Sequence, residues 1–268
     1  MPTQFAQHGS TTGEDAIEAE AFRDWHRLCP DDVRQALEFE CLSLDRGCAI
    51  SLPGAPGAIF NRMFALPEPD ELEEAYRWMS AKPGTKFLQI DLSSASDRAR
   101  QWVAAKELVE QGAAWAKLVY ARAAGITPLP RAPACRIVHP DEAQLFGSII
   151  CKGFGLPETL IPIWASIVGQ ESWSCFFALD GDEPIGTGAM YCSGDRGWLG
   201  AGTLLPAFRS RGAHKALIHA RVAEGQARGV SRFAVEAKFS ATVTANTSYA
   251  NLVKMGFKHA YSRQNFAL

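Results

Sequence analysis

Between Leu204 and Lys215 the chain reads Leu-Leu-Pro-Ala-Phe-Arg-Ser-Arg-Gly-Ala-His-Lys. Arg209, Arg211 and Lys215 put three cations around one glycine, Gly212. An apolar strand pattern, Trp198 to Leu205, runs into Pro206, and a helical pattern opens at Ala213. The first N–H groups of a helix have no intrahelical partner and carry the positive end of its dipole. Gly212 has no side chain to keep an anion off the backbone. This set of residues could therefore hold a phosphate or diphosphate. A plain strand–turn–helix with a solvated basic end would show the same residue types. The common phosphate loops are missing: no G-x-x-x-x-G-K-[ST] occurs, and Gly186-Thr187-Gly188-Ala189 breaks down at Tyr191 with no helix after it.

The run Pro206-x-x-Arg209-x-Arg211-Gly212-Ala213-x-x-Ala216-Leu217 resembles the acyl-CoA-binding motif of the GNAT superfamily of N-acetyltransferases, Q/R-x-x-G-x-G/A after a strand with V-x-P. Arg209 stands at the Q/R position and Gly212 at the first glycine, while His214 replaces the last small residue. A second stretch, Ser248-Tyr249-Ala250-Asn251-Leu252-x-x-x-Gly256-Phe257, is similar to the later family segment S-x-x-N-x-x-x-x-GF. The resemblance implies acetyl-CoA, or another acyl-CoA, as cofactor. Its pyrophosphate would lie at Arg209, Ser210, Arg211, Gly212, Ala213, His214 and Lys215. Its pantetheine would pair with the backbone of Thr203, Leu204 and Leu205, with Asn251 reaching toward the same arm. The tyrosine that many members carry four residues before the Gly-Phe glycine is Leu252 here. Tyr261 is the catalytic candidate in its place, from a strand Ala260-Tyr261-Ser262-Arg263 that resembles the family's aromatic-x-Arg strand. Tyr249 is the second substitute. Glu236 could act through water, but a strand glutamate is more often a solvated face, and a lone helical histidine such as His219 is usually structural.

The elements around these residues fall into two series. Glu14–Arg27 and Val33–Phe39 read as helices. Leu42–Leu52 alternates around Arg46-Gly47, and Gly54-Ala55-Pro56-Gly57 turns it into Ala58–Ala65 as a hairpin. A helix over Pro67–Met79, a strand over Lys86–Leu92, a helix over Arg98–Gln111 and a strand over Ala113–Ala123 follow. Three prolines in Pro128-Leu129-Pro130-Arg131-Ala132-Pro133 interrupt regular structure. Beyond them, Cys135–Leu268 runs strand, helix, helix, three strands, helix, strand, helix, strand, the GNAT order. The expected fold is α/β (α+β): two tandem GNAT-like domains, each a mixed, largely antiparallel sheet flanked by helices. The expected bounds are a disordered tail over 1–13, an N-terminal domain over 14–124, a Pro-rich linker over 125–133 and the acetyltransferase domain over 134–268. The first domain has no cofactor motif; its corresponding stretch, Leu66-Pro67-Glu68-Pro69-Asp70-Glu71, is acidic and would repel a pyrophosphate. It reads as a degenerate GNAT-like unit or an unrelated α/β domain.

Composition narrows the function. The 268 residues are 47% hydrophobic and 21% charged, enough for a packed core. A formal charge of -2 argues against a dedicated nucleic-acid binder. The 7 cysteines are scattered without C-x-x-C, which favours reduced thiols over a disulfide frame or metal site, and a cytoplasmic protein. No segment reads as a signal peptide or membrane span. The leading expectation is an acyl-CoA-dependent N-acetyltransferase that acts on a primary amine, a small molecule or a peptide, by direct attack on the thioester. A non-catalytic acyl-CoA sensor or scaffold is the alternative, and a nucleic-acid-linked module a third. Acceptor choice would lie in the loops Gly153–Pro157 and Gly169–Trp173. Assembly is open, a homodimer among the options.

Overall fold

The structure, a computed structural model, describes residues 13–55, 57–121, 126, 129, 132–239 and 247–268. The expected tail therefore lies outside the described residues except for Gly13, as does most of the expected linker.

Helix α1 (Gly13–Leu28) has Glu14 and Asp15 in its first turn and His26 and Arg27 in its last, signs that suit the helix dipole. Ile17, Ala21, Phe22 and Trp25 recur at helical spacing and are buried. Helix α2 (Asp31–Leu37) follows Pro30. The stretch read as one alternating strand is two, β1 (Glu40–Ser43) and β2 (Cys48–Ser51), paired antiparallel about Arg46-Gly47. The chain can bend there because Gly47 lies against the next strand: a Cβ on it would be 2.3 Å from the Phe64 carbonyl oxygen. Then come β3 (Arg62–Phe64), α3 (Pro69–Ser80), β4 (Phe87–Ile90), α4 (Asp97–Ala105), β5 (Val109–Glu110) and β6 (Ala114–Ala121). Ser96 caps α4, its hydroxyl accepting from the Ala99 N–H at 3.1 Å.

The second series is β7 (Cys135–Ile137), α5 (Ala143–Phe154), α6 (Ile161–Ala165), β8 (Trp173–Asp180), β9 (Glu183–Ser193), β10 (Arg196–Leu204), α7 (Ala213–Ala227), β11 (Arg232–Phe239), α8 (Thr247–Lys254) and β12 (Lys258–Ala267). Among the described residues no helix is long and apolar enough to cross a membrane.

Two mixed sheets join edge to edge in the order β1-β2-β3-β4-β12-β6-β11-β10-β9-β8-β7, with β5 also on β12. Among the described pairs only β3–β4 and β10–β11 are parallel, and each is bridged by a helix, α3 or α7. The two series thus repeat one strand–helix–strand unit about a centre between β12 and β6. The last strand of each series crosses that centre. β6 pairs with β11, from Arg232↔Ala121 to Phe239↔Ala114, and β12 pairs with β4. The stretch Ala113–Ala123 reads from sequence as the closing strand of the first unit; its described strand, β6, lies in register against the second.

Helix α1 packs across this junction. Trp25 meets Phe60 of the first series at 5.2 Å and Trp164 of the second at 4.4 Å between ring centroids. Its indole N–H donates to the Ile163 carbonyl at 2.7 Å. The opposite face of the second sheet packs Leu118, Leu199, Phe233 and Val235 against Ile218 and Val222 of α7 and Leu252 of α8.

Under α1 the core is charged. Arg62, Lys117 and Arg263, at most 1% exposed, meet Asp15, Glu18 and Glu236. Arg62 donates to Glu18 at 2.7 Å and to Glu236 at 3.0 Å, and Arg263 to Asp15 at 3.1 Å. Lys117 also donates to Glu18. Burial alone would raise the Glu18 carboxylate, but Arg263, Lys117 and Arg62 outweigh it and hold Glu18 well below the ordinary range.

Candidate functional site

Strands β10 and β11 run side by side only from Arg196↔Arg232 to Leu199↔Val235. Beyond that row β10 stays with β9 and β11 with β6, so the pair opens like a wedge. A bulge starts the parting. The β10–β9 register shifts between Gly200 and Thr203, and Ala201 takes a left-handed φ of 51°. Arg221 of α7, 2% exposed, holds this bulge from behind: its Nη1 donates to the Gly200 carbonyl at 3.0 Å and the Ala189 carbonyl at 3.3 Å. Burial lowers Arg221 to about 10.

The wedge opens into a cavity of about 780 Å³. Gly202, Thr203 and Leu204 of β10, Lys238 and Phe239 of β11 and Gly153 and Phe154 of α5 form its sides. Arg209, Ser210, Gly212, His214 and Lys215 form the mouth at α7, and Thr247, Ser248 and Asn251 the wall at α8. The charged side chains among these described lining residues, Arg209, Lys215 and Lys238, are cationic, and no carboxylate is among them. Gly212 is the N-cap of α7, at φ 87°, and no side chain caps the helix there. Among the described residues, a Cβ on Gly212 would find only Pro133, 3.9 Å away.

Not every residue chosen from sequence faces the cavity. Thr203, Leu204, Arg209, Ser210, Gly212, His214, Lys215 and Asn251 line it; Leu205, Arg211 and Ala213 do not. The Leu205 N–H is spent on the Ile185 carbonyl at 2.9 Å. Strand N–H groups alternate between edges, so that bond turns the Leu204 N–H toward the parted side and the Thr203 N–H toward β9. Arg211 is drawn to Asp180, 3.6 Å away, and its guanidinium lies over Phe208. The Ala213 side chain is fully buried in the small cluster under α7. Arg209 lines the mouth while its Nη2 donates to the Gly153 carbonyl at 2.7 Å, tying the mouth to α5.

Tyr261 is not brought to the wedge. It lines a second cavity of about 380 Å³ with Asp15, Glu68, Asp91, Asp97, Arg100 and Arg263, near the ends of β3 and β4. The reason is topological: β6 and β11 stand between β12 and β10. At roughly 4.8 Å per strand, three steps separate Tyr261 from the bulge by about 14 Å. Tyr249 makes a 3.1 Å contact with His259 and does not line the cavity. Glu236 has both carboxylate oxygens on Arg62 and Arg263. Leu252 is 1% exposed, in the core. Of the expected acceptor loops, Gly153 and Phe154 reach the cavity and Gly169–Trp173 does not.

Sequence reading missed Lys238, Phe239 and Ala113. The first two end a strand that looked like any half-buried strand, and Ala113 arrives with the exchanged β6. Their places follow from pairing partners far away in the chain.

His214 is neutral: burial first, and the Arg221 cation second, hold it down to about 4. Its Nδ1 accepts from the Asn251 amide, 3.3 Å away.

By sequence the chain matches no protein-family model and no curated protein. By fold it is similar to a GCN5-related N-acetyltransferase from Sphaerobacter thermophilus, with 15% identity over 97% of this chain and 92% of that one and a TM-score of 0.60. It is likewise similar to a tandem GNAT protein from the clavulanic acid biosynthesis pathway, 14% identical over 96% of this chain and 95% of that one, TM-score 0.56. The chain has the GNAT fold.

A GNAT-family acetyltransferase from Novosphingobium aromaticivorans is a further match, 11% identical over 97% of each chain, TM-score 0.55. All three likenesses span both series of elements, so the GNAT fold covers the first half of the chain as well as the half that carries the motif. At these identities the likeness is one of fold, and residue roles rest on the geometry above.

Proposed function

We propose that the chain is an acyl-CoA-dependent N-acetyltransferase acting on a primary amine of a small molecule or peptide. The observation that carries this reading is the basic wedge between β10 and β11, with no carboxylate among its described lining residues, which ends at the N-terminus of α7. The donor set fits the cofactor. Open N–H groups beside Arg209 and Lys215 suit a diphosphate, and a narrow slot with one strand N–H, from Leu204, suits an amide-bearing arm. Acetyl-CoA would supply an acyl group already activated as a thioester. The protein's share is then placement: Leu204 and Asn251 orient the arm, Gly212 to Lys215 anchor its charged end, and the Arg221-braced bulge holds the strand backbone where the carbonyl would lie. The attacking amine must lose a proton. None of the candidate carboxyl or phenol groups lines the wedge, which supports proton release to water over a dedicated protein base.

The division into 14–124 and 134–268 belongs to the same proposal, with the first unit a GNAT-like partner that lacks the basic mouth. Seven free cysteines, none in a disulfide, support a reducing, cytoplasmic setting.

One observation favours a second reading. With Leu252 in the core and Tyr261 in the other cavity, the wedge has no tyrosine among its described lining residues. A non-catalytic acyl-CoA sensor would look the same. Calorimetric titration with acetyl-CoA tests both; no heat at millimolar ligand would sink them together. Thiol release across a panel of amines separates them: turnover with any amine supports the enzyme, and binding without turnover supports the sensor.

A further inference from the structure

Asn251 is the α8 side chain best placed to hold an incoming amide arm, and its amide is already in use. His214, from the first turn of α7, takes that hydrogen bond on Nδ1. The other end of the ring reaches the bulge: Nε2 lies 3.7 Å from where a Cβ on Gly202 would be, a point that the Arg221 guanidinium borders at 3.3 Å. The imidazole thus spans from α8 to the bulge of β10, across the floor of the wedge, and both residues line the cavity. A glycine or alanine at this position could not reach either wall. Half-buried and neutral, the ring keeps the Nδ1 lone pair that the contact needs.

We propose that His214 is a built-in competitor for the cofactor arm: it closes the slot by engaging Asn251, and so sets how tightly the wedge holds an acyl-CoA. This deepens the acyl-CoA reading above and rests on it. The closed and open arrangements differ by one neutral hydrogen bond and the ring's contacts. Apparent affinity is the intrinsic affinity scaled by the open fraction, so one such bond corresponds to about a fivefold loss. The opposite role is also concrete. If the Nε2–H instead donated to the bound arm, removing the ring would weaken binding.

Calorimetric titration of acetyl-CoA into the full chain decides between them. The variants are His214→Ala, His214→Gln, Asn251→Ala and the His214→Ala/Asn251→Ala pair, each checked by thermal melt. His214→Ala should bind about fivefold tighter than the wild type. His214→Gln, which keeps an acceptor for Asn251, should stay close to the wild type. Asn251→Ala should cost more affinity in the His214→Ala background than alone, because only there is the amide free to serve the arm. A general packing role for His214 would not produce that coupling. If the wild type binds and His214→Ala binds equally or more weakly, the competitor role is overturned while the acyl-CoA reading stands. If neither the wild type nor His214→Ala binds at millimolar ligand, the acyl-CoA reading falls and takes the competitor with it.

Discussion

Arg209 and Arg211 stand two residues apart in the same motif, and the structure gives them different work. Arg209 faces the wedge and braces α5 through the Gly153 carbonyl. Arg211 is an exposed partner of Asp180. Charge-assisted contacts to a bound anion are worth about 1.5–3 kcal/mol, whereas exposed ion pairs contribute about 0–1 kcal/mol. Arg209→Ala should therefore weaken acetyl-CoA binding by about tenfold or more, and Arg211→Ala by no more than about fivefold. Titrations of the two variants at one salt concentration check this; equal losses would mean that Arg211 turns back to the ligand. The motif showed that both residues are cations near a helix start. Which way each side chain points depended on Asp180 and Gly153, which come from outside the motif.

Strands β6 and β12 tie the two series together. β12 lies between β4 and β6, two strands of the other series, and β6 lies between β12 and β11, likewise of the other series, so neither sheet is completed by its own segment alone. Residues 134–268 expressed without the rest would leave the β11 edge and both edges of β12 without partners. Exposed strand edges template aggregation. The expected outcome is that 134–268 alone is insoluble or unfolded, and that co-expression with 13–121 recovers a soluble pair. A cooperative thermal transition from isolated 134–268 would count against this. Most element types were legible in advance, because helix periodicity is a local signal, but α4 ends at Ala105 and the strand β5 lies inside the stretch read as a helix to Gln111. The partners of β6 were not, because Ala114–Ala121 is apolar except for Lys117, a run that would suit any internal strand.

Taken as one body, the molecule is pinned by the buried charges under α1. Three cations face three carboxylates, drawn from α1, β3, β6, β11 and β12. Removing one member of a buried set leaves an uncompensated charge, at a cost of about 3–5 kcal/mol. Glu18→Gln should lose stability on that scale in chemical denaturation. The pH dependence follows from the lowered Glu18 carboxylate. Its folded value lies below the ordinary 4.5. The stabilisation is therefore fully present above about pH 4.5 and is lost as the pH falls further, since the unfolded chain takes up the proton first. Wild-type stability should drop between about pH 5 and pH 3, and Glu18→Gln should show a shallower drop. A parallel slope in the two proteins would mean that Glu18 is not the group that titrates.

The residues themselves carried the phosphate-suited helix start, the order of elements and the shortage of a catalytic tyrosine, because each is written in neighbours a few positions apart. The wedge, the spent Leu205 N–H, the removal of Tyr261 to another cavity and the His214–Asn251 contact came only with the assembled chain. Each depends on which strands lie side by side, and hydrogen-bonding edges, unlike apolar faces, leave no periodic trace in the sequence.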